Sequence, residues 1–278
     1  MGFYVEAERG VKVYVEDVGY GRPVVFVHGW PVNRQMWEYQ LNVVPKYGFR
    51  CISIDLRGFG KSDAPWHGYN YNRMSDDIRM VVESLGIQNA TLVGFSMGGA
   101  IAIRYITRHA ARGMCGLVLA AAAAPLMTQR PGYPYGKPAS ESEATLLGLM
   151  TDRPKTIDGF GQLFFHKPIS DPFRTWFNGL GFESSPYGAI GGTKALRDED
   201  LRADLAHVHV PTTILHGKQD RIVPFALGEL QHQGIRNSRF IPFEDSGHGL
   251  FCDEREKFNR ELLSVLTGKL GPHTPIYD

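Results

Sequence analysis

Gly94-Phe95-Ser96-Met97-Gly98 constrains this chain more than any other segment. It follows the apolar run Ala90-Thr91-Leu92-Val93 and precedes an apolar helical pattern that opens at Gly99-Ala100. A serine between two glycines at a strand-to-helix junction predicts a turn so sharp that the serine backbone is strained. Side chains at the flanking positions would collide with the neighbouring strand and helix, and glycine removes those collisions. The serine Oγ then stands clear of a sheet at the positive end of a helix, where an attacking oxygen and a developing anion are both favoured. The plainer alternative is a glycine-rich loop that happens to contain a serine.

The surrounding pattern argues for the strained turn. Val11 to Val18 alternates, with Val11, Val13 and Val15 on one face and Lys12, Tyr14 and Glu16 on the other, as in an antiparallel strand with one wet face. Phe3 to Glu6 is expected to pair with it. Pro23 to Val27 is a continuous apolar run, the mark of a parallel strand buried on both faces. Further strands are expected at Cys51–Ile54, Ala90–Phe95, Gly116–Ala121 and Thr212–His216, and a strand pattern recurs at Phe240-Ile241-Pro242-Phe243. Helices are expected at about 34–46, at Ser75–Leu85 with Ser75 as N-cap, at 97–109, 225–233 and 255–267. Alternation of this kind predicts an α/β fold: a mostly parallel, doubly wound sheet with an antiparallel N-terminal start.

From Pro125 to about Leu205 no buried strand appears, and the stretch is rich in glycine, proline and aromatic residues. A structureless loop of that length is implausible in a compact domain. The expectation is a helical cap insertion at 125–205, set into a core made of 1–124 and 206–278. Ala120 to Ala124 reads as tight packing at a strand end or as a roomy pocket floor. The tail from Gly271 to Asp278 carries no pattern and is expected to fray.

Composition narrows the partners. Of 278 residues, 43% are hydrophobic and 21% charged, with a net charge of +1 and no basic run, so a large core is expected and nucleic acid is not an expected partner. The N-terminal stretch lacks a basic segment followed by an apolar one, so no signal peptide is expected, and no apolar run is long enough for a bilayer. Cys51, Cys115 and Cys252 are scattered and odd in number. Cys51 and Cys115, beside strand patterns, read as buried thiols, which suits a reducing cytoplasm. Self-association into a homo-oligomer is left open.

A serine hydroxyl needs a base within hydrogen-bond reach, and that base needs orienting. Among ten histidines, His248 stands out. It lies in the small-residue loop Ser246-Gly247-His248-Gly249, between a strand pattern and the last helix, at the sheet edge where Ser96 also falls. Strand, glycine, short loop and aspartate in Thr212 to Asp220 make Asp220 the orienting acid. Asp245 and Asp253 compete by proximity to His248 and read instead as a solvated loop residue and a helix-start residue. A plain turn aspartate before Arg221 is the alternative for Asp220. The resulting order is Ser, Asp, His. The oxyanion hole is expected from the backbone N–H of Met97 and of Trp30 in His28-Gly29-Trp30-Pro31. The Trp30 side chain reads as reaching the pocket mouth, or as ordinary aromatic packing. Phe160, Phe164 and Trp176 are the further candidates for the substrate pocket. His28 and the segment Asp55 to Ser62 read as structural, the latter lacking phosphate-loop spacing, and His207 and His209 as surface residues; no metal site is expected.

These segments, with Met36 to Gln40, His216 to Pro224 and Gly247 to Gly249, resemble the arylesterase and cofactor-free haloperoxidase (perhydrolase) family of α/β-hydrolases. The resemblance covers most of the chain outside the cap, where Phe182 to Tyr187 and Gly191-Gly192 depart from the usual pattern. It implies hydrolysis of small acyl esters through an acyl-serine, with Ser96, Asp220 and His248 as triad, Met97 and Trp30 as oxyanion donors, and no cofactor. Proline directly after the tryptophan is similar to the perhydrolase-leaning members, where hydrogen peroxide replaces water in deacylation. A lactonase, γ-lactamase, carbon–carbon hydrolase or hydroxynitrile lyase uses the same triad. A receptor-like binding protein with slow turnover is the reading from another class. A dehalogenase or epoxide hydrolase is disfavoured, since each needs a carboxylate at position 96.

Overall fold

The computed structural model describes residues 1–268. The expected fraying of Gly271 to Asp278 lies outside the described residues. Among the described residues eight strands form one sheet in the order β1-β2-β4-β3-β5-β6-β7-β8. They are β1 (Gly2–Glu8), β2 (Val11–Gly19), β3 (Arg22–Val27), β4 (Phe49–Ile54), β5 (Ala90–Phe95), β6 (Met114–Ala120), β7 (Thr212–Gly217) and β8 (Ser238–Phe243). β1 pairs antiparallel with β2, and β2 antiparallel with β4; every later pairing is parallel. The fold class read from the alternation of strands and helices is therefore the observed one.

The sheet follows from its side chains. Val24 to Val27 are wholly buried, and neighbours along the strand enter opposite cores: Val25 and Val27 one, Val24 and Phe26 the other. Helices thus cover both faces. α2 (Tyr71–Ser84) and α3 (Met97–Arg108) cover the first face, α10 (Arg255–Thr267) the second. α8 (Phe225–Gly234) lies between β7 and β8 in sequence, and the four-residue helices α1 (Glu38–Leu41) and α9 (Leu250–Asp253) sit in the loops after β3 and β8. Between β6 and β7 come α4 (Ala139–Thr151), α5 (Arg153–Gly161), α6 (Asp171–Phe182) and α7 (Pro186–Asp198). The segment expected to be helical and free of buried strands is so.

Three local expectations are corrected. α2 starts four residues earlier than expected, at Tyr71. Asn70 is its N-cap, its side chain accepting the Arg73 N–H at 2.8 Å, while Ser75 lies inside the helix and donates to the Asn72 carbonyl. Tyr71 belongs to the buried stripe with Met74, Ile78 and Val81, so packing extends the helix back to the Asn70 cap. The single helix expected at 34–46 is broken into a 3₁₀ turn at Arg34–Trp37, α1, and a second 3₁₀ turn at Val44–Tyr47 that contains Pro45. Cys115, read as buried, is exposed at the outset of β6, its thiol directed at the Asn89 carbonyl; Cys51 is buried as expected.

One buried ion pair ties the loop after β4 to the first helical layer. Arg57 is fully buried, and its guanidinium donates to both oxygens of Asp77 on α2 at 2.6 and 2.7 Å and to Glu8 of β1 at 2.9 Å. Removing one partner strands a charge away from water. Asp77→Ala is expected to lower unfolding stability by about 3–5 kcal/mol, measured by urea denaturation; a loss below about 1 kcal/mol, the range of exposed pairs, would contradict this role.

Candidate active site

Ser96 sits between β5 and α3 with φ 52° and ψ −119°, a backbone region that residues with side chains rarely occupy. Hydrogen bonds hold it there. Its N–H donates to the Ala120 carbonyl at 3.0 Å, and its carbonyl accepts from Ala123, Gly99 and Ala100. Gly98 packs so closely on the end of β3 that a Cβ would fall 2.3 Å from the His28 carbonyl oxygen and 2.6 Å from that of Val27. The collisions inferred from the glycine pattern are those the backbone avoids.

His248 meets Ser96 across the sheet edge. Its Nδ1 lies 2.8 Å from Asp220 Oδ2 and its Nε2 lies 2.9 Å from Ser96 Oγ. An ionised carboxylate only accepts, so Nδ1 carries the proton and donates to Asp220, which leaves Nε2 to accept the Ser96 hydroxyl. The imidazole is wholly buried against the rings of Phe95 and Phe164, with centroids 4.7 and 4.9 Å away. Asp220 Oδ1 accepts the N–H groups of Ile222 and Val223, both at 2.8 Å. Its side chain is fully buried, which removes the reading of a plain surface turn aspartate.

The loops that carry these groups have their own supports. Asp253 is buried and accepts the backbone N–H groups of Gly247, His166 and Lys167. Its expected role as a solvated helix-start residue is corrected: three amides of two loops converge on it, and burial is the consequence. His216, given no role from the sequence, is fully buried. Its Nε2–H donates to the Val223 carbonyl at 3.0 Å and lies 3.5 Å from Asp220 Oδ2. Its position at the end of β7, four residues before Asp220, was the available signal. His28 donates from Nδ1 to the Gly29 carbonyl and accepts the Leu56 N–H at Nε2, so it fixes the loop as expected. The carboxylate of Asp55 accepts backbone N–H groups of Arg34 and Lys61, again a structural turn. His207 and His209 are exposed.

Gly29 lies against Ser96; a Cβ there would stand 2.9 Å from the serine Cβ. The following residue, Trp30, is thereby brought beside the hydroxyl. Met97 opens α3, so its N–H has no acceptor within the helix. The adjoining cavity has a volume of about 320 Å³. Trp30, Ser96, Ala123, Phe160 and Val223 are among its walls. Trp30 and Phe160 line this cavity, Trp30 from a buried position within the wall rather than at its mouth, its indole N–H donating to the Ala189 carbonyl at 2.9 Å. Two expectations are corrected. Phe164 does not line this cavity; it backs the His248 ring from behind. Trp176 does not line it either and packs on Tyr39 and Phe173. The alanine run serves both purposes foreseen: Ala123 lines the cavity, and Ala120, Ala121, Ala122 and Ala124 pack in the core.

A serine turn at the edge of a mixed sheet, joined through histidine to aspartate in this chain order, defines an α/β-hydrolase. The chain belongs to that family, since residues 22–254 match its model, described as the alpha/beta hydrolase fold. It is 51% identical to the AB hydrolase superfamily protein YisY of Bacillus subtilis over 93% of this chain and 97% of that protein. It is 34% identical to the non-heme chloroperoxidase CPO-A1 of Kitasatospora aureofaciens, over 92% of this chain and 96% of that protein. Among solved structures it superposes on an esterase from Exiguobacterium antarcticum with a TM-score of 0.94 at 48% identity, covering 96% of this chain and all of that one. These likenesses set the chain among the esterase and non-heme haloperoxidase members of the family, and that coverage reaches into the helices between β6 and β7. No helix among the described residues is long and apolar enough to cross a membrane.

Burial alone would raise the Asp220 carboxyl, but attraction to His248 and hydrogen bonds from His216 and His248 outweigh it and hold the group well below the usual carboxylate range. On acidification the unfolded chain, with its aspartate near 3.9, therefore takes up this proton first. The stabilisation is complete above about pH 4 and is lost as pH falls through the depressed folded value. The stability gap between the wild type and Asp220→Asn should narrow as pH drops from about 5 toward 2, read from urea midpoints at each pH. A gap of constant size across that range would contradict the assignment.

Proposed function

We propose that the protein is a serine carboxylesterase for small acyl esters that works through an acyl-serine, with perhydrolysis as a side activity. The observation that carries this reading is one buried imidazole bridging Ser96 Oγ and Asp220 Oδ2 at 2.9 and 2.8 Å. In this reading Ser96 attacks the ester carbonyl while its proton passes to His248 Nε2, and Asp220 steadies the imidazolium. The N–H groups of Met97 and Trp30 receive the developing oxyanion, where fixed donors need no reorganisation. The bond to the alcohol then breaks, and His248 returns the proton to the departing oxygen. Water attacks the acyl-serine by the same route, releasing the acid and restoring the hydroxyl. With hydrogen peroxide in place of water the released product is a peracid, and the likeness to a non-heme chloroperoxidase supports that branch.

The cavity, near the lower end of ligand-pocket volumes, suits short acyl chains. We read 125–205 as a cap over a core of 1–124 and, among the described residues, 206–268, because Phe160 of α5 closes the pocket beside Trp30. Free Cys51, Cys115 and Cys252 fit a reducing, cytoplasmic setting. The expected partner is a small-molecule ester.

Ser96→Ala should lower kcat/KM for 4-nitrophenyl acetate by roughly 10⁴-fold or more. The same variant should lose bromination of a dye in acetate, bromide and hydrogen peroxide. Undiminished ester turnover by the folded variant would remove Ser96 as the nucleophile.

A further inference from the structure

The cavity beside Ser96 grades from a buried floor to an open mouth. Ser96, Trp30 and Val223 are 4%, 3% and 0% exposed. At the other extreme stand Lys137 and Glu141, with side chains 30% and 54% exposed. These two are the charged residues among the cavity's walls, so any selection by charge in this pocket falls to them. They are paired with each other: Lys137 Nζ lies 3.2 Å from Glu141 Oε2. The backbone that carries the pair is held in place. The Lys137 backbone is bonded through its N–H to the Met127 carbonyl and through its carbonyl to the Gln129 N–H, and Met127 is itself a wall of the cavity. Glu141 lies in the first turn of α4, where a carboxylate is favoured by the exposed helix N–H groups. Thr145, one turn further on, also lines the cavity, its hydroxyl donating to the Glu141 carbonyl at 2.9 Å.

We propose that this ion pair is the pocket's charge filter and that the enzyme's substrates are uncharged esters whose far end carries a hydrogen-bonding group. The inference rests on the ester-hydrolase reading above. A neutral polar group at the mouth accepts from Lys137 or donates to Glu141 while the two charges stay paired. A carboxylate at that point gains from Lys137 but is repelled by Glu141, and it surrenders hydration for no net attraction. A cation meets the mirror-image problem. The apolar walls between floor and mouth supply no other charge to repay either ion.

Three 4-nitrophenyl esters of equal reach test this: the methyl-capped glutarate (neutral), the free glutarate (anionic) and the 4-(trimethylammonio)butyrate (cationic). The wild type should favour the neutral ester over both ions by about tenfold in kcat/KM. Glu141→Gln leaves Lys137 unopposed and should raise the anionic-to-neutral ratio about tenfold; Lys137→Met leaves Glu141 unopposed and should raise the cationic-to-neutral ratio by a similar factor. Both shifts should shrink in 0.5 M salt, about a Debye length of 4 Å. If the wild type cleaves the neutral ester but both variants keep its ratios within twofold, or if it cleaves the anion as readily as the neutral ester, the charge filter is overturned and the esterase reading stands. If it cleaves 4-nitrophenyl acetate but none of the three, the filter is overturned and the esterase reading stands; if it cleaves neither the acetate nor any of the three, the esterase reading itself fails and the filter falls with it.

Discussion

The backbone of Ser96 is the constraint to which the rest of the molecule is fitted. A side-chain-bearing residue at φ 52° costs of order 1–3 kcal/mol and persists only where its surroundings allow nothing else. Here three neighbouring strands supply that compulsion. β5 delivers the serine, the end of β6 binds its N–H through Ala120, the loop after β6 binds its carbonyl through Ala123, and the end of β3 presses against Gly98. Because β3, β5 and β6 are adjacent and parallel, their C-terminal ends lie at one edge. Relaxing the serine would require moving strands whose side chains fill both cores.

A second layer of order lies behind the imidazole. The loops after β7 and β8 are short of internal pairing and borrow it from buried carboxylates. Asp220 binds two amides of its own loop with one oxygen and faces His248 and His216 with the other. Asp253 gathers amides from the His248 loop and from the loop after α5. Amides that would otherwise be buried unpaired are thus answered by charge-assisted bonds, roughly twice the strength of neutral ones. The same bonds fix the ring that meets Ser96, so loop folding and site geometry are one event.

The strands were readable because burial on both faces leaves an unbroken apolar run, and the antiparallel start because one wet face leaves alternation. Ser96, Asp220 and His248 were readable because a strained turn and loops at strand ends leave short glycine signatures. What escaped reading depends on partners distant in the chain. The helix at Tyr71 begins where core packing and the Asn70 cap agree, and Ser75, an equally good cap by chemistry, lies inside the buried stripe. Asp253 is buried by amides that come from residues 166, 167 and 247. Cys115 sits in an apolar strand pattern yet faces outward at its beginning.

The aromatic residues between β6 and β7 show why the pocket was the least readable part. Their spacing marks helices with an apolar side but not which ring a given side meets. Phe160 and Phe164 are four residues apart, yet one walls the cavity and the other backs the imidazole. They touch each other, with centroids 5.9 Å apart, and Phe160 in turn meets Trp30 edge-on at 4.8 Å. A continuous line of rings therefore runs from the cavity wall through Phe160 and Phe164 to His248. Close-packed rings transmit displacement, since interiors at this density have little room to absorb it. Pocket shape and imidazole orientation are consequently set by the same few side chains, and the segment that walls the cavity also holds the imidazole beside Ser96.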